Sequence, residues 1–316
     1  LPSLTTKLAL DNLQATALVT FLPLGLLGGS LLFGPIVDRF GHKALLLLSC
    51  LVVLLGLEGI AFFTSIPLLQ VSIIGIGLGG GILNGETNAL VADISNEAEK
   101  GSRLSLLGAF YGIGALGIPV LLSFLSEYYS FEIILQGTGM VMLIGILFCL
   151  GIRFPAPKQP QGFPIKEGLG LLKESSLLLL SFILFFQSGI EGVCNNWTTL
   201  YLGQTTGIPE NRALIALTCM VAGLTVARLL LVVLFKKIKQ ETVLRTSLIT
   251  AVAGFALLTF APGFARAAIG MALIGAGLAS TFPVILSIIG SRYASLSGTA
   301  FSVALVIALI GQTLLN

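Results

Sequence analysis

Charge is scarce in this chain: Asp, Glu, Lys and Arg make up 10% of its 316 residues, against about 25% in a typical soluble domain. With 55% hydrophobic residues and a mean hydropathy of +1.02, that deficit excludes an ordinary water-soluble fold. There is one histidine, His42, and the four cysteines, Cys50, Cys149, Cys194 and Cys219, each stand alone in an apolar stretch. Neither a zinc site nor a disulfide framework follows from such spacing, and the cysteines read as small packing residues. Without a second histidine, a metal-ligand cluster or a nucleophile beside a base, a membrane enzyme is disfavoured, and no metal or cofactor is expected. The net charge of +3 gives no reason to expect a nucleic-acid partner. Also missing is the polar/apolar alternation over about ten residues that marks barrel strands, which leaves helices as the spanning elements. Leu1 opens on apolar residues with no basic stretch before them, so insertion into the bilayer is expected from the hydrophobic runs themselves.

Those runs number ten: Leu13 to Val37, Ala44 to Phe63, Leu68 to Ile94, Leu104 to Leu125, Phe131 to Ile152, Leu177 to Leu202, Asn211 to Phe235, Val243 to Phe260, Arg266 to Ile289 and Ser297 to Leu315. Each is long enough for the hydrocarbon core, which needs about 20 residues of helix. The basic residues between them are sorted by side. One set of loops holds Arg39, Lys43, Lys100, Arg103, Arg153, Lys158, Lys166, Lys173, Lys236, Lys237, Lys239, Arg245 and Arg292, while the other holds Lys7, Arg212 and Arg266. The positive-inside rule makes the crowded side cytoplasmic. The longest connection, with its PAPKQPQGFP, falls on that side and divides the chain into a bundle at 1–153, a cytoplasmic linker at 154–176 and a second bundle at 177–316.

The two bundles look duplicated. GIGLGG at Gly75 to Gly80 returns as GAGLAS at Gly275 to Ser280, VDRFGHKALL at Val37 to Leu46 faces FKKIKQETVL at Phe235 to Leu244, and Gly101 and Gly114 find Gly298 and Gly311. Three matches in order, at nearly one shift of about 198 positions, argue for an internal repeat. Under that shift the sixth run has no partner before Leu1 and the fifth none after Asn316. One further helix at each end is therefore expected of the complete protein, two six-helix halves in all.

GPIVDRFGHK, Gly34 to Lys43, leaves the first run on the basic side. It resembles the G-x-x-x-D-R-x-G-R-K signature of the major facilitator superfamily, with Gly34, Asp38, Arg39, Gly41 and Lys43 matching and His42 in place of an arginine. The resemblance implies an all-α polytopic fold of two pseudo-symmetric six-helix halves, no enzymatic activity, and a gating role for these five residues as the halves rock. It also implies a monomer in a cell (inner or plasma) membrane. Physically, Gly34 permits close helix approach, Gly41 a tight turn, and Asp38 can anchor basic groups or helix ends. A hydrophilic turn with an orienting charge is the alternative. His42 itself reads as an exposed loop residue rather than a proton carrier.

Ionisable groups inside a bilayer cost several kcal/mol and default to a functional reading. In the sixth run Gln187, Glu191 and Asn195 are spaced by four and form one stripe, with Asn196, Trp197 and Tyr201 beyond. Glu191 is the leading candidate for substrate binding or coupling, weighed against helix-to-helix hydrogen bonding and an interfacial aromatic belt. The third run offers Asn84, Glu86 and Asn88, which line a cavity or pair near the inner mouth. In the fourth, GAFYGIGALGIP supplies small packing residues, and Tyr111 a hydroxyl or aromatic face. The run lacks the G-P-x-x-G-G arrangement of the superfamily's antiporters. Glu58 reads as a structural partner, and Arg228 as too shallow to neutralise Glu191 and local to its own helix end. Within the superfamily the chain resembles the fucose:proton symporter branch through Gly189, Glu191, Trp197, Tyr201, Asn88 and the TFP at Thr281 to Pro283, with Asn84 where that branch often has a carboxylate. That resemblance implies a sugar or similar small polar substrate and a coupling proton or sodium ion. Proton-coupled efflux of lipophilic compounds, and a non-transporting receptor or channel, are the competing readings.

Overall fold

A computed structural model describes residues 11–162, 165–260 and 263–316, so Lys7, counted above on the sparse side, lies outside the described residues. The main helices are α1 (Asn12–Phe40), α2 (His42–Phe62), α3 (Ile66–Ile94), α4 (Lys100–Leu125) and α5 (Phe131–Gly151). A short α6 (Ile165–Leu171) lies in the linker, followed by α7 (Ser175–Thr206), α8 (Glu210–Leu234), α9 (Gln240–Phe260), α10 (Phe264–Leu278), α11 (Thr281–Arg292) and α12 (Ser297–Leu314). Among the described residues there are ten spans long and apolar enough to cross a membrane, the ninth being α10 and α11 taken together. These are the ten runs expected, with α7 extended at both ends.

Local chemistry sets the boundaries. Gly41 stands between α1 and α2 with φ +82°, a left-handed conformation that glycine adopts without strain, so two long helices join through one residue. Gly207 ends α7 in the left-handed region at φ +66°. The ninth span breaks at Ala279 and Ser280, just before Pro283. A proline there has no N–H to offer the carbonyl four residues back. That carbonyl is on Ala279; its neighbour on Leu278 accepts a hydrogen bond from Gln187 Nε2 at 3.1 Å.

The helices pack into two compact units. Unit one takes the described residues up to Leu90 with Leu121–Leu172 and Ser295–Val306; unit two takes Val91–Val120, Lys173–Ala294 and Ile307–Asn316. Each unit thus combines segments from both sequence halves. Unit one packs α3 on α1 and α2 through glycines: a Cβ on Gly77 would sit 2.4 Å from the Leu22 carbonyl oxygen of α1, and one on Gly79 would sit 2.8 Å from that of Ser49 in α2. Unit two repeats the arrangement with α10 on α8 and α9. There a Cβ on Gly275 would lie 1.9 Å from the Met220 carbonyl oxygen, and one on Gly277 2.3 Å from the Ala251 nitrogen. One shift of 198 positions carries 77 to 275 and 79 to 277. The repeat seen in the sequence is therefore a repeat of close approaches, with the glycines concerned two positions off the GIGLGG/GAGLAS alignment. Cys194 packs into the apolar core of unit two with Leu202, Met220 and Met271, as a small filler.

Candidate functional site

The polar residues expected from the sequence divide between the units. In unit two, the α7 stripe does two different jobs. Gln187 is 4% exposed and its amide is occupied by the Leu278 carbonyl, so it holds the broken span. One turn on, Glu191 is half-buried and makes no hydrogen bond or ion pair with any described residue, but it interacts electrostatically with Arg228 of α8. Asn195 and Asn196 are exposed. Trp197 is also exposed, and its Nε1 donates to the Asn316 side-chain and main-chain oxygens at 3.2 and 3.3 Å.

Arg228 is the group whose reach the sequence understates. Its guanidinium is buried, Nη1 donates to the Gly108 carbonyl of α4 at 3.1 Å, and its own carbonyl accepts from Ser105 Oγ at 2.8 Å. No direct ion pair with Glu191 forms among the described residues, yet the two charges act on each other. Depth counted along the helices misses this because α7 and α8 follow each other across the bilayer in opposite directions, and side chains tilt toward the N-terminus of their own helix. Glu191 and Arg228 therefore lean toward one another. Gly108 makes room, since a Cβ there would lie 3.0 Å from Arg228 Cδ and Nη1. Tyr111, one turn further along α4 and 70% exposed, also interacts electrostatically with Arg228.

In unit one the motif residues are drawn together at the α1–α2 junction. Gly34 abuts α12, where a Cβ would sit 2.4 Å from the Gly298 carbonyl oxygen. Asp38 is 2% exposed and accepts from Gly298 N–H at 3.2 Å, Thr299 N–H at 2.8 Å and Thr299 Oγ1 at 2.6 Å. A carboxylate here satisfies the orphan donors of the first turn of α12 and meets the positive end of its dipole. Arg39 Nη1 donates to the Gln159 carbonyl at 3.4 Å, and Lys43 Nζ to the Leu150 and Ile152 carbonyls at 2.8 and 3.3 Å, closing the end of α5. No motif singles out Thr299; only the match of Gly101 to Gly298 pointed at this turn.

His42 corrects an expectation. It is not an exposed loop residue but 4% exposed at the start of α2, with Nδ1 2.7 Å from Oε1 of Glu86, which is fully buried in α3. Because a single glycine joins α1 to α2, there is no loop for it to occupy. Glu86 is thereby paired at the basic end of the fold, one of the two roles expected of it. Asn88 is 9% exposed and donates to the Asn84 carbonyl at 2.7 Å, while Asn84 is exposed. Glu58 faces α5, where a Cβ on Gly139 would lie 2.6 Å from its Oε1. Outside the spans, Glu97 is held below the usual glutamate range by hydrogen bonds from Lys100 and Ser291.

Known proteins give this geometry a context. The family model described as Major Facilitator Superfamily matches residues 1–315. YfkL, an MFS-type transporter of Bacillus subtilis, is 26% identical over 214 residues, 65% of this chain and 53% of that protein. The glucose/mannose transporter GlcP of the same organism is 24% identical over 319 residues, 92% of this chain and 76% of that protein. The chain thus spans about half the length of YfkL and three quarters of GlcP. Among solved structures, the fucose:proton symporter FucP of E. coli superposes with a TM-score of 0.83 at 19% identity, covering 100% of this chain and 85% of that one. That likeness shows the fold.

Proposed function

Because the chain belongs to the Major Facilitator Superfamily and is a multi-pass membrane transporter, we propose that it moves a small polar solute, a sugar or sugar-like compound, by alternating access coupled to a proton or sodium ion. The observation that carries this reading is Glu191, a half-buried carboxylate well inside the longest span, with no hydrogen bond or ion pair to a described residue and with Arg228 and Tyr111 at hand. An ionisable side chain at that depth is retained against a cost of about 2.5–3.5 kcal/mol on insertion scales. A packing role would have paired it. The polar complement of Asn195, Asn196, Trp197 and Tyr111 in unit two supplies donors, acceptors and aromatic faces suited to hydroxylated solutes. The relatives' printed substrates, glucose and mannose for GlcP and fucose with a proton for FucP, support the same class.

In this reading the motif of Gly34, Asp38, Arg39, Gly41 and Lys43 is a gate latch. The 154–176 linker lies on the cytoplasmic face of a cell membrane between two bundles, and the protein works as a monomer. Reconstitution in liposomes with imposed proton or sodium gradients and a sugar panel is the test. Gradient-driven uptake is expected for the wild type, and Glu191→Gln is expected to abolish accumulation and its pH dependence while sparing exchange down a gradient. Unchanged uphill uptake in that variant would remove Glu191 from coupling.

A further inference from the structure

Arg228 carries more charge than its packing needs. The repeat provides the comparison: Ser302 Oγ donates to the Ser30 carbonyl in unit one just as Ser105 Oγ donates to the Arg228 carbonyl in unit two. Positions 30 and 228 are related by the same shift of 198. A serine fills this place in one copy, so the backbone contact needs no guanidinium. In the other copy the guanidinium is present, 8% exposed, and underused. Of the five N–H donors an arginine offers, only one on Nη1 is engaged among the described residues, through the Gly108 carbonyl. Nε is sealed from solvent with no partner, whereas Nη2, also without a protein partner, is not sealed. A buried, permanently charged fork with an unsealed Nη2 beside Nη1 is suited to receive a planar anion at its Nη end.

We propose that the solute carries a carboxylate, as a sugar acid does, and that Arg228 is the residue that receives it, with Tyr111 beside it. This rests on the transporter reading above and names its substrate class. Charge counting selects a monoanion. Arg228 and an ionised Glu191 together are neutral, and a bound carboxylate adds one negative charge that the bilayer interior does not tolerate. Protonation of Glu191 cancels it, so one proton and one carboxylate enter together and the loaded site is neutral. A phosphomonoester dianion would leave the same site negative. Among the described residues, the one other titratable group that acts on this pair is Tyr111 from α4, on Arg228, while Cys194 on α7 itself feels the Glu191 charge; the helices packed against α7 contribute no other interacting charge.

The test uses the reconstituted protein and three probes: a hexuronate, its neutral hexuronamide and the parent hexose. The wild type is expected to prefer the acid over the amide by about tenfold or more, because an unmet arginine fork rejects the analogue that lacks its partner. Arg228→Gln is expected to lose that preference, and Arg228→Lys to retain part of it, each checked for a monodisperse profile. Glu191→Gln is expected to bind the acid with no dependence on pH. Hexose and amide taken up as fast as the acid, or a preference that survives in Arg228→Gln, would overturn this inference and leave the transporter reading intact. No uptake of any probe would overturn both.

Discussion

Asp38 accepts three hydrogen bonds at 2.6 to 3.2 Å from the first turn of α12. Bonds to a charged acceptor contribute about 1.5–3 kcal/mol, and stranded donors at a buried position cost about as much. Asp38→Asn replaces one of the two accepting oxygens by an NH₂, which opposes either the Gly298 N–H or the Thr299 N–H and hydroxyl. It is expected to lower the stability of the protein in an SDS titration by about 2 kcal/mol, with Thr299→Val losing about half as much. An unchanged midpoint for Asp38→Asn would show that α12 is capped by something else. Asp38 is legible because its motif is contiguous; Thr299 lies 261 positions away and only folding brings it near. His42 departs from its expected place for a related reason. Its burial depends on Gly41 turning the chain in one residue and on Glu86 arriving from α3. Glu191 is conspicuous as a carboxylate among Leu, Ile and Phe. Arg228 is easily discounted, because axial distance ignores side-chain direction.

At the scale of the elements, small residues decide how closely helices meet. Gly275 and Gly77 bring α10 to α8 and α3 to α1 at distances where a Cβ would overlap a backbone carbonyl. Backbone cannot swing aside as a long side chain can, so Gly275→Ala and Gly77→Ala are both expected to reduce the yield of monodisperse protein on size-exclusion chromatography. Gly28→Ala, in open space, is the control and is expected to behave as wild type. Equal yields for all three would mean that these helices are not held by close approach. The α3–α4 connection adds a pH-sensitive contact. Glu97 is stabilised in its charged form, first by Lys100 and then by Ser291 of α11, so its folded value lies below the usual 4.5. Its contribution to stability is complete above that usual value and is lost as pH falls through the lowered one. Melting curves of wild type and Glu97→Gln are therefore expected to separate at neutral pH and converge in acid; a gap that widened in acid would contradict the assignment. The helices are legible from length and apolarity, and the break in the ninth span only as a Thr-Phe-Pro. That Gln187 bonds the Leu278 carbonyl is not, since the two are 91 positions apart.

For the whole molecule, the contacts that join the sequence halves within each unit are the ones a transport cycle would have to break. A Cβ placed on Gly112 of α4 lies 3.0 Å from the Thr225 Cβ of α8, a little short of the ~3.5–4.5 Å that a disulfide spans. With Cys50, Cys149, Cys194 and Cys219 first replaced by alanine, Gly112→Cys with Thr225→Cys is expected to crosslink on oxidation and to arrest uptake until reduced. Full transport by the crosslinked protein would show that α4 and α8 stay together throughout. The sequence by itself determined the membrane class, the ten spans, the duplication and the family, because each is written in local composition or in a repeat along the chain. It also marked Glu191, since a charge in an apolar run stands out in one dimension. Tertiary structure alone decided which partners those charges meet: Thr299 for Asp38, Glu86 for His42, and Gly108 and Glu191 for Arg228. Those pairings depend on helix direction and close packing between segments distant along the chain, and neither is encoded at any single position.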